Sequence, residues 1–299
     1  MMTTKGFANF SITCCGRLVE FDRPAVMGIL NVTADSFYDG GRYLQPEAMV
    51  ARAHELLAQG ADIIDVGVAS SRPGAALPTP EDEAHALTSV ITTLRQELPQ
   101  AILSADTCRA LPAQAAIEAG VDIINDISGG QFEPLSSDGI PPIFNIVAQM
   151  QVPYILMHTR SLPYDMAQHN DYDNIIDDLT QYYSQRLDLL YRLGVKDVWL
   201  DPGFGFAKNP QQSLYLLNNI NELTSLFREP MLAALSRKSM IYKTLGITPE
   251  EALPGTIALD TVALLKGCRL LRVHDPLPAR QTIELLWPHP QPLSQRRGE

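Results

Sequence analysis

Asp106, Asn125 and Asp201 each stand at or near the end of a short apolar run, as do Arg272 and His274, and Lys238 follows another such run closely. Carboxylates accept from a ring that presents two adjacent N–H groups, such as a 2-amino-4-oxo pyrimidine edge, and an asparagine amide both donates and accepts. Arg72, Lys238, Arg272 and His274 are candidate anion ligands. Gathered at one mouth, the two sets suit a neutral heterocycle that carries an anionic group.

Such gathering needs a fold that brings many strand ends together. The apolar runs are AVMGIL (Ala25–Leu30), ADIIDVG (Ala61–Gly67), AILSAD (Ala101–Asp106), VDIINDI (Val121–Ile127), VPYILMH (Val152–His158), DVWLDPG (Asp197–Gly203), PMLAALS (Pro230–Ser236) and RLLRVHD (Arg269–Asp275). They are continuously apolar, as parallel strands covered on both faces must be. Helical patterns separate them: Glu47–Gln59, Glu81–Leu98, Arg109–Ala119, Ile143–Met150, Asp171–Leu193, Gln211–Phe227, Thr256–Lys266 and Pro278–Leu286. Gly60, Gly120, Gly194 and Gly267 follow helices as left-handed caps, and Pro46, Pro80 and Pro210 open them.

Eight strand–helix units in this length predict an α/β chain folded as a TIM (β/α)8 barrel, with active groups at the C-terminal strand ends. An open doubly wound sheet is the weaker alternative, because no G-x-G-x-x-G follows the first run. Residues 1–24 are expected to form a short β-hairpin closing the barrel, 25–287 the barrel, and the Pro-rich 288–299 a disordered polar tail.

The hydrophobic fraction of 45% suits a large core, and a net charge of −11 argues against nucleic acid or an anionic membrane surface as partner. No window is long and apolar enough to span a membrane, and the first residues lack the apolar core of a signal peptide, so a cytoplasmic location is expected. The four cysteines show no C-x-x-C spacing, which disfavours a zinc site or disulfide framework. No H-x-H occurs near a strand end, so metal-dependent hydrolysis is disfavoured. Blander roles fit several residues. Asp106 by itself suits a helix cap, Asp126 a loop brace, Arg160 a surface ion pair, and His54, His85, His169 and His289 the surface.

The stretches GILNVTADSFYDGG, DIIDVG with SSRPGA, SADT, DIINDISGG, YILMH, DPGFGF, LSRKSM and RVHD, in this order, resemble dihydropteroate synthases from about Ala25 to Pro276. The resemblance implies a homodimeric barrel of the folate pathway. It would join 6-hydroxymethyl-7,8-dihydropterin diphosphate to 4-aminobenzoate, with magnesium accompanying the diphosphate. By position, Asp106, Asn125, Met157, Asp201, Lys238 and Arg272 are expected at the pterin. Ser71, Arg72, Pro73, Phe206, Lys238 and Ser239 are expected at the aminobenzoate. Asn31, Arg72, Arg272 and His274 are expected at the diphosphate, Asn31 also at the magnesium, and Asp35 at the cationic intermediate.

Several motif positions depart from the family pattern. Val68, Ala69 and Ser71 stand for Gly, Glu and Thr, Ala34 for Pro, and Ala207 and Ala234 for Gly. The charged set is intact, which predicts an active enzyme. The competing readings are a catalytically weak pterin-binding paralogue and a barrel of the pterin-binding methyltransferase kind, which needs neither SSRP nor RVHD.

Overall fold

The computed structural model describes residues 9–14, 16–32, 46–68, 78–161 and 170–287. Among them a hairpin, β1 (Phe10–Cys14) and β2 (Arg17–Phe21), precedes eight parallel strands. These are β3 (Ala25–Asn31), β4 (Ile63–Gly67), β5 (Ile102–Asp106), β6 (Ile123–Asp126), β7 (Tyr154–Met157), β8 (Val198–Asp201), β9 (Leu232–Ala233) and β10 (Leu270–Val273). The hydrogen-bonded order is β8-β7-β6-β5-β4-β3-β10-β9, and a parallel bridge from Leu200 to Met231 joins the two ends. All eight predicted runs are strands of this TIM barrel. The expected tail, 288–299, lies outside the described residues.

The helices are α1 (Pro46–Ala58), α2 (Pro80–Glu97), α3 (Ala110–Glu118), α4 (Pro142–Met150), α5 (Ile175–Arg192), α6 (Pro210–Leu226), α7 (Ser239–Leu245), α8 (Leu253–Leu265) and α9 (Pro276–Leu286). Two differences from the sequence reading have local causes. Helix α5 starts at Ile175 rather than near Asp171, because the Asn174 side chain accepts from the amides of Ile176 and Asp177 and caps it there. The short α7, which the sequence reading did not anticipate, fills the connection after β9 and closes on left-handed Gly246.

Side-chain alternation along the strands creates the site. Inward residues near the strand starts form an apolar plug of Met27, Ile63, Ile102, Ile123, Ile155, Trp199, Leu232 and Leu270. Phe10 and Phe21 of the hairpin pack edge-on against Trp199 and seal that end. Two residues further along the same inner face, the plug gives way to Asp65, Ser104, Asn125, Met157, Asp201, Ala234 and Arg272. Outward residues such as Val26, Ile64, Leu103, Ile124, Leu156, Leu200 and Leu271 pack in the larger core with the helices. Acids just before three strands set the register at the plug end. Asp62, Asp122 and Asp197 precede β4, β6 and β8, and they accept from the amides of Val26, Leu103 and Thr13.

Candidate active site

Arg272 is the centre of the polar layer. Its Nε lies 2.6 Å from Asp65 Oδ2 and its Nη2 lies 2.8 Å from Asp106 Oδ2. Asn125 donates to the same Asp65 oxygen at 3.0 Å. One guanidinium therefore spans β10, β4 and β5, and β6 joins through the amide. Burial works against the Arg272 cation, but Asp65 and Asp106 more than offset it, so it is held charged. Burial raises the Asp106 carboxyl, Arg272 opposes that rise, and Asp65 adds to it. Asp106 is thus part of the mouth and not merely a helix cap; Arg109 stands at the cap position of α3.

Asp65 is fully buried and was not singled out from the sequence, because it sits inside an apolar run. Only the phase of the alternation, two residues after Ile63, marks it as inward. Asp65 Oδ1, Asn125 Oδ1 and the Ser104 hydroxyl are buried without a hydrogen-bond partner among the described residues. Buried acceptors left open in this way are suited to a ligand that brings N–H donors.

A second cluster forms across the mouth. Asp201 accepts from the Gly203 amide at 2.8 Å. Burial pushes its carboxyl up, against the pull of Lys238. Burial lowers the Lys238 amine to about 8, with Asp201 opposing. Lys238 Nζ donates to the Phe204 carbonyl at 2.6 Å and stands 4.8 Å from the centre of the Phe206 ring. Phe204 is core, whereas Phe206 is partly exposed beside the lysine. Arg237 takes a left-handed backbone, φ 55°, and pairs with Asp275 at 2.9 Å. The reversal at Arg237 places Lys238 at the N-cap of α7 and Ser239 at its first residue.

His274 has the same inward phase as Arg272, and its Nδ1 lies 3.0 Å from the Ser236 hydroxyl. Burial, then Arg272, lowers its pKa. Asn31 ends β3 exposed at the rim. A Cβ on Gly67 would lie 3.3 Å from Asn31 Oδ1 and 3.8 Å from Asp106 Cβ, so glycine keeps the floor between them open. Met157 is buried on the inner face beside Asp201.

Strand phase turns His158 and Asp126, the neighbours of Met157 and Asn125, away from the mouth. His158 and Arg160 belong with α5 instead. His158 Nε2 lies 2.8 Å from Asp178, which also pairs with Arg160. Asp126 faces outward too, and braces its loop by accepting from Ser128, Gly130 and the Tyr154 hydroxyl. Asp35, Ser71, Arg72 and Pro73 lie outside the described residues, as do Ala34 and Ala69.

A family model described as pterin binding enzyme matches residues 27–274. The dihydropteroate synthase of Synechocystis is 41% identical over 256 residues, 85% of this chain and 86% of its own. The chain belongs to the dihydropteroate synthase family of pterin-binding enzymes. Among solved structures of the family, the Yersinia pestis synthase with a sulfonamide drug superposes with a TM-score of 0.82 at 32% identity, over 93% of this chain and 98% of that one. The Xanthomonas albilineans synthase with 4-aminobenzoic acid gives 0.81 at 34% identity, over 93% and 97%. The fold, the enzyme class and the family expected from the sequence all stand.

Among the described residues no cluster of three or more His, Cys, Asp or Glu could cage a metal ion. Asn31 offers one amide oxygen at the rim. That donor set fits a magnesium ion that arrives on a diphosphate and keeps its own waters.

Proposed function

We propose that this enzyme condenses 6-hydroxymethyl-7,8-dihydropterin diphosphate with 4-aminobenzoate, giving 7,8-dihydropteroate and diphosphate. The observation that carries this reading is the buried layer Asp65–Arg272–Asp106–Asn125, whose open acceptors suit a ring edge rich in N–H donors. In this reading Asp106, Asn125 and Asp201 receive the pterin edge, Met157 packs against it, and Arg272 lies along the ring. Lys238, Phe206 and Ser239, with Ser71, Arg72 and Pro73, form the aminobenzoate pocket. The diphosphate meets Arg272, His274, Asn31 and Arg72.

The bond from the pterin methylene to the diphosphate oxygen breaks, and its electron pair leaves with the diphosphate. The cation left on the methylene is delocalised into the pterin, with Asp35 beside it. The aminobenzoate nitrogen attacks that carbon and then loses its proton. An arylamine is nucleophilic when neutral, so no strong base is required of the protein. The protein's contribution is electrostatic preorganisation and alignment of the two reactants. Magnesium, held by Asn31 and the diphosphate, would supply further charge neutralisation on the leaving group.

The charged residues are retained around the substitutions at Val68, Ala207 and Ala234. Ala234 lies on the inner face level with Asp201 and Arg272 and borders the apolar plug. We further propose a cytoplasmic homodimer, on the family resemblance and on the lack, among the described residues, of a helix long and apolar enough to cross a membrane. Mass-spectrometric detection of dihydropteroate from the purified chain with both substrates tests the activity. Pterin binding without product would support the paralogue reading instead.

A further inference from the structure

We propose that Lys208 is a positioning residue for the aminobenzoate pocket: its buried amine holds the backbone of residues 203–206, and thereby Phe206, in place. The identity of the substrate that Phe206 meets rests on the function proposed above; the clamp itself does not.

Lys208 is 5% exposed, yet its Nζ is surrounded by acceptors. It lies 3.2 Å from the Gly203 carbonyl, 3.1 Å from that of Phe206, 3.3 Å from that of His158 and 2.9 Å from His158 Nδ1. Burying an amine is costly unless its donors are met; burial lowers the Lys208 amine to about 7, and four acceptors surround Nζ, enough for its protons in either charge state. The His158 ring is itself fixed, because Nε2 meets Asp178 at 2.8 Å. With Nε2–H donating to Asp178, Nδ1 is left to accept from Lys208.

The segment held in this way needs holding. Between the end of β8 at Asp201 and the start of α6 at Pro210 it has no regular structure. Gly203, Gly205 and Ala207 have φ of 64°, 78° and 48°, all left-handed. A Cβ on Gly203 would stand 2.2 Å from the His158 carbonyl, so the segment runs hard against the end of β7. Its own backbone supplies one bond, Phe206 N–H to the Gly203 carbonyl at 3.0 Å. Lys238 grips the Phe204 carbonyl between the two that Lys208 grips. The capping box of Asn209 with Gln212 anchors the chain immediately after Lys208. Two lysines thus hold alternating carbonyls: Lys238 belongs to the mouth, and Lys208 lies behind the segment with His158. Among the described residues, none expected to touch a substrate bonds to Lys208 through its side chain, so Lys208 acts through the segment.

The test replaces the amine with an apolar side chain of similar length, Lys208→Met, in the full enzyme. Amide hydrogen exchange across residues 203–206 should rise at least about tenfold while the barrel strands keep their protection. The KM for 4-aminobenzoate should rise at least about tenfold, with that for the pterin diphosphate within about threefold of wild type. Equal rises in both KM values, or unchanged exchange, would overturn the proposal. Should Lys208→Met fail to fold, Asp178→Asn loosens the same relay at a position whose side chain is 24% exposed. It should raise the aminobenzoate KM at least about threefold with the pterin KM unmoved, and no change would overturn the proposal. If wild type shows no turnover, the activity reading falls and the exchange measurement alone decides the clamp.

Discussion

Arg272 Nε and Asp65 Oδ2 are 2.6 Å apart although 207 positions separate them in the chain, and Asp65 is completely buried. The pair fixes the guanidinium at the centre of the mouth before any ligand arrives, with Asp106 on its other nitrogen. Asp65→Asn should keep the volume but remove half of that restraint. Breaking a buried pair leaves a charge uncompensated and typically costs about 3–5 kcal/mol. Denaturant unfolding should show a loss near that range, and turnover should fall at least about tenfold. Arg272→Lys should do worse in turnover, because one ammonium cannot span two carboxylates as a planar fork does. Wild-type kinetics in either variant would remove this pair from the site.

Ala207 carries φ 48°, a backbone that a non-glycine residue adopts at a cost of about 1–2 kcal/mol. Ala207→Gly installs the glycine that the family resemblance implies and should stabilise the protein by about 0.5–1 kcal/mol, since added unfolded-state freedom offsets part of the gain. Urea midpoints measure this directly. A lower midpoint would mean that the buried methyl contributes more than the strain costs.

His158 should make stability fall in mild acid. Burial, with Lys208 next, depresses its pKa to about 3, while the unfolded imidazole titrates near 6.5. Between those values the unfolded chain binds a proton that the folded one excludes, so stability rises with pH there. It is fully present above 6.5 and is lost as pH falls toward 3. Asp178, lowered to about 2, adds its own loss only below its ordinary carboxylate range. Lowering pH from 6.5 to 4.5 should therefore cost about 2 kcal/mol through His158 alone. His158→Gln should flatten that slope, and an unchanged slope would assign it to other groups.

Much of this was legible in the chain. The strands β3, β5, β6 and β8 end on Asn31, Asp106, Asp126 and Asp201, polar residues as expected, and the left-handed glycines Gly60, Gly120, Gly194 and Gly267 closed helices as read. Asp106, Asn125, Asp201, Lys238 and Arg272 do meet at one end of the barrel. What the sequence hid was phase. Asn125 and Asp126 are adjacent, yet one enters the mouth and the other braces a loop. Met157 and His158 divide in the same way. Asp65 was missed because a charge inside an apolar run gives no periodic signal until the inner face is known. Lys208 was missed because its partners are backbone carbonyls and a histidine 50 positions away.

Gly67→Ala places a methyl 3.3 Å from Asn31 Oδ1, tighter than the amide tolerates without moving. The KM for the pterin diphosphate should rise, and more magnesium should be needed for half-maximal rate, with folding stability little changed. Identical magnesium titrations in the variant and wild type would take Asn31 out of diphosphate binding.

The central claim is that this barrel mouth joins a pterin diphosphate to an arylamine. The direct measurement is diphosphate release by the purified protein given the pterin diphosphate and magnesium, with and without 4-aminobenzoate. The account predicts release that depends on aminobenzoate, matches dihydropteroate formed one for one, and is inhibited competitively by a sulfonamide. Pterin binding with no aminobenzoate-dependent release would contradict it and leave a binding protein in the fold of an enzyme.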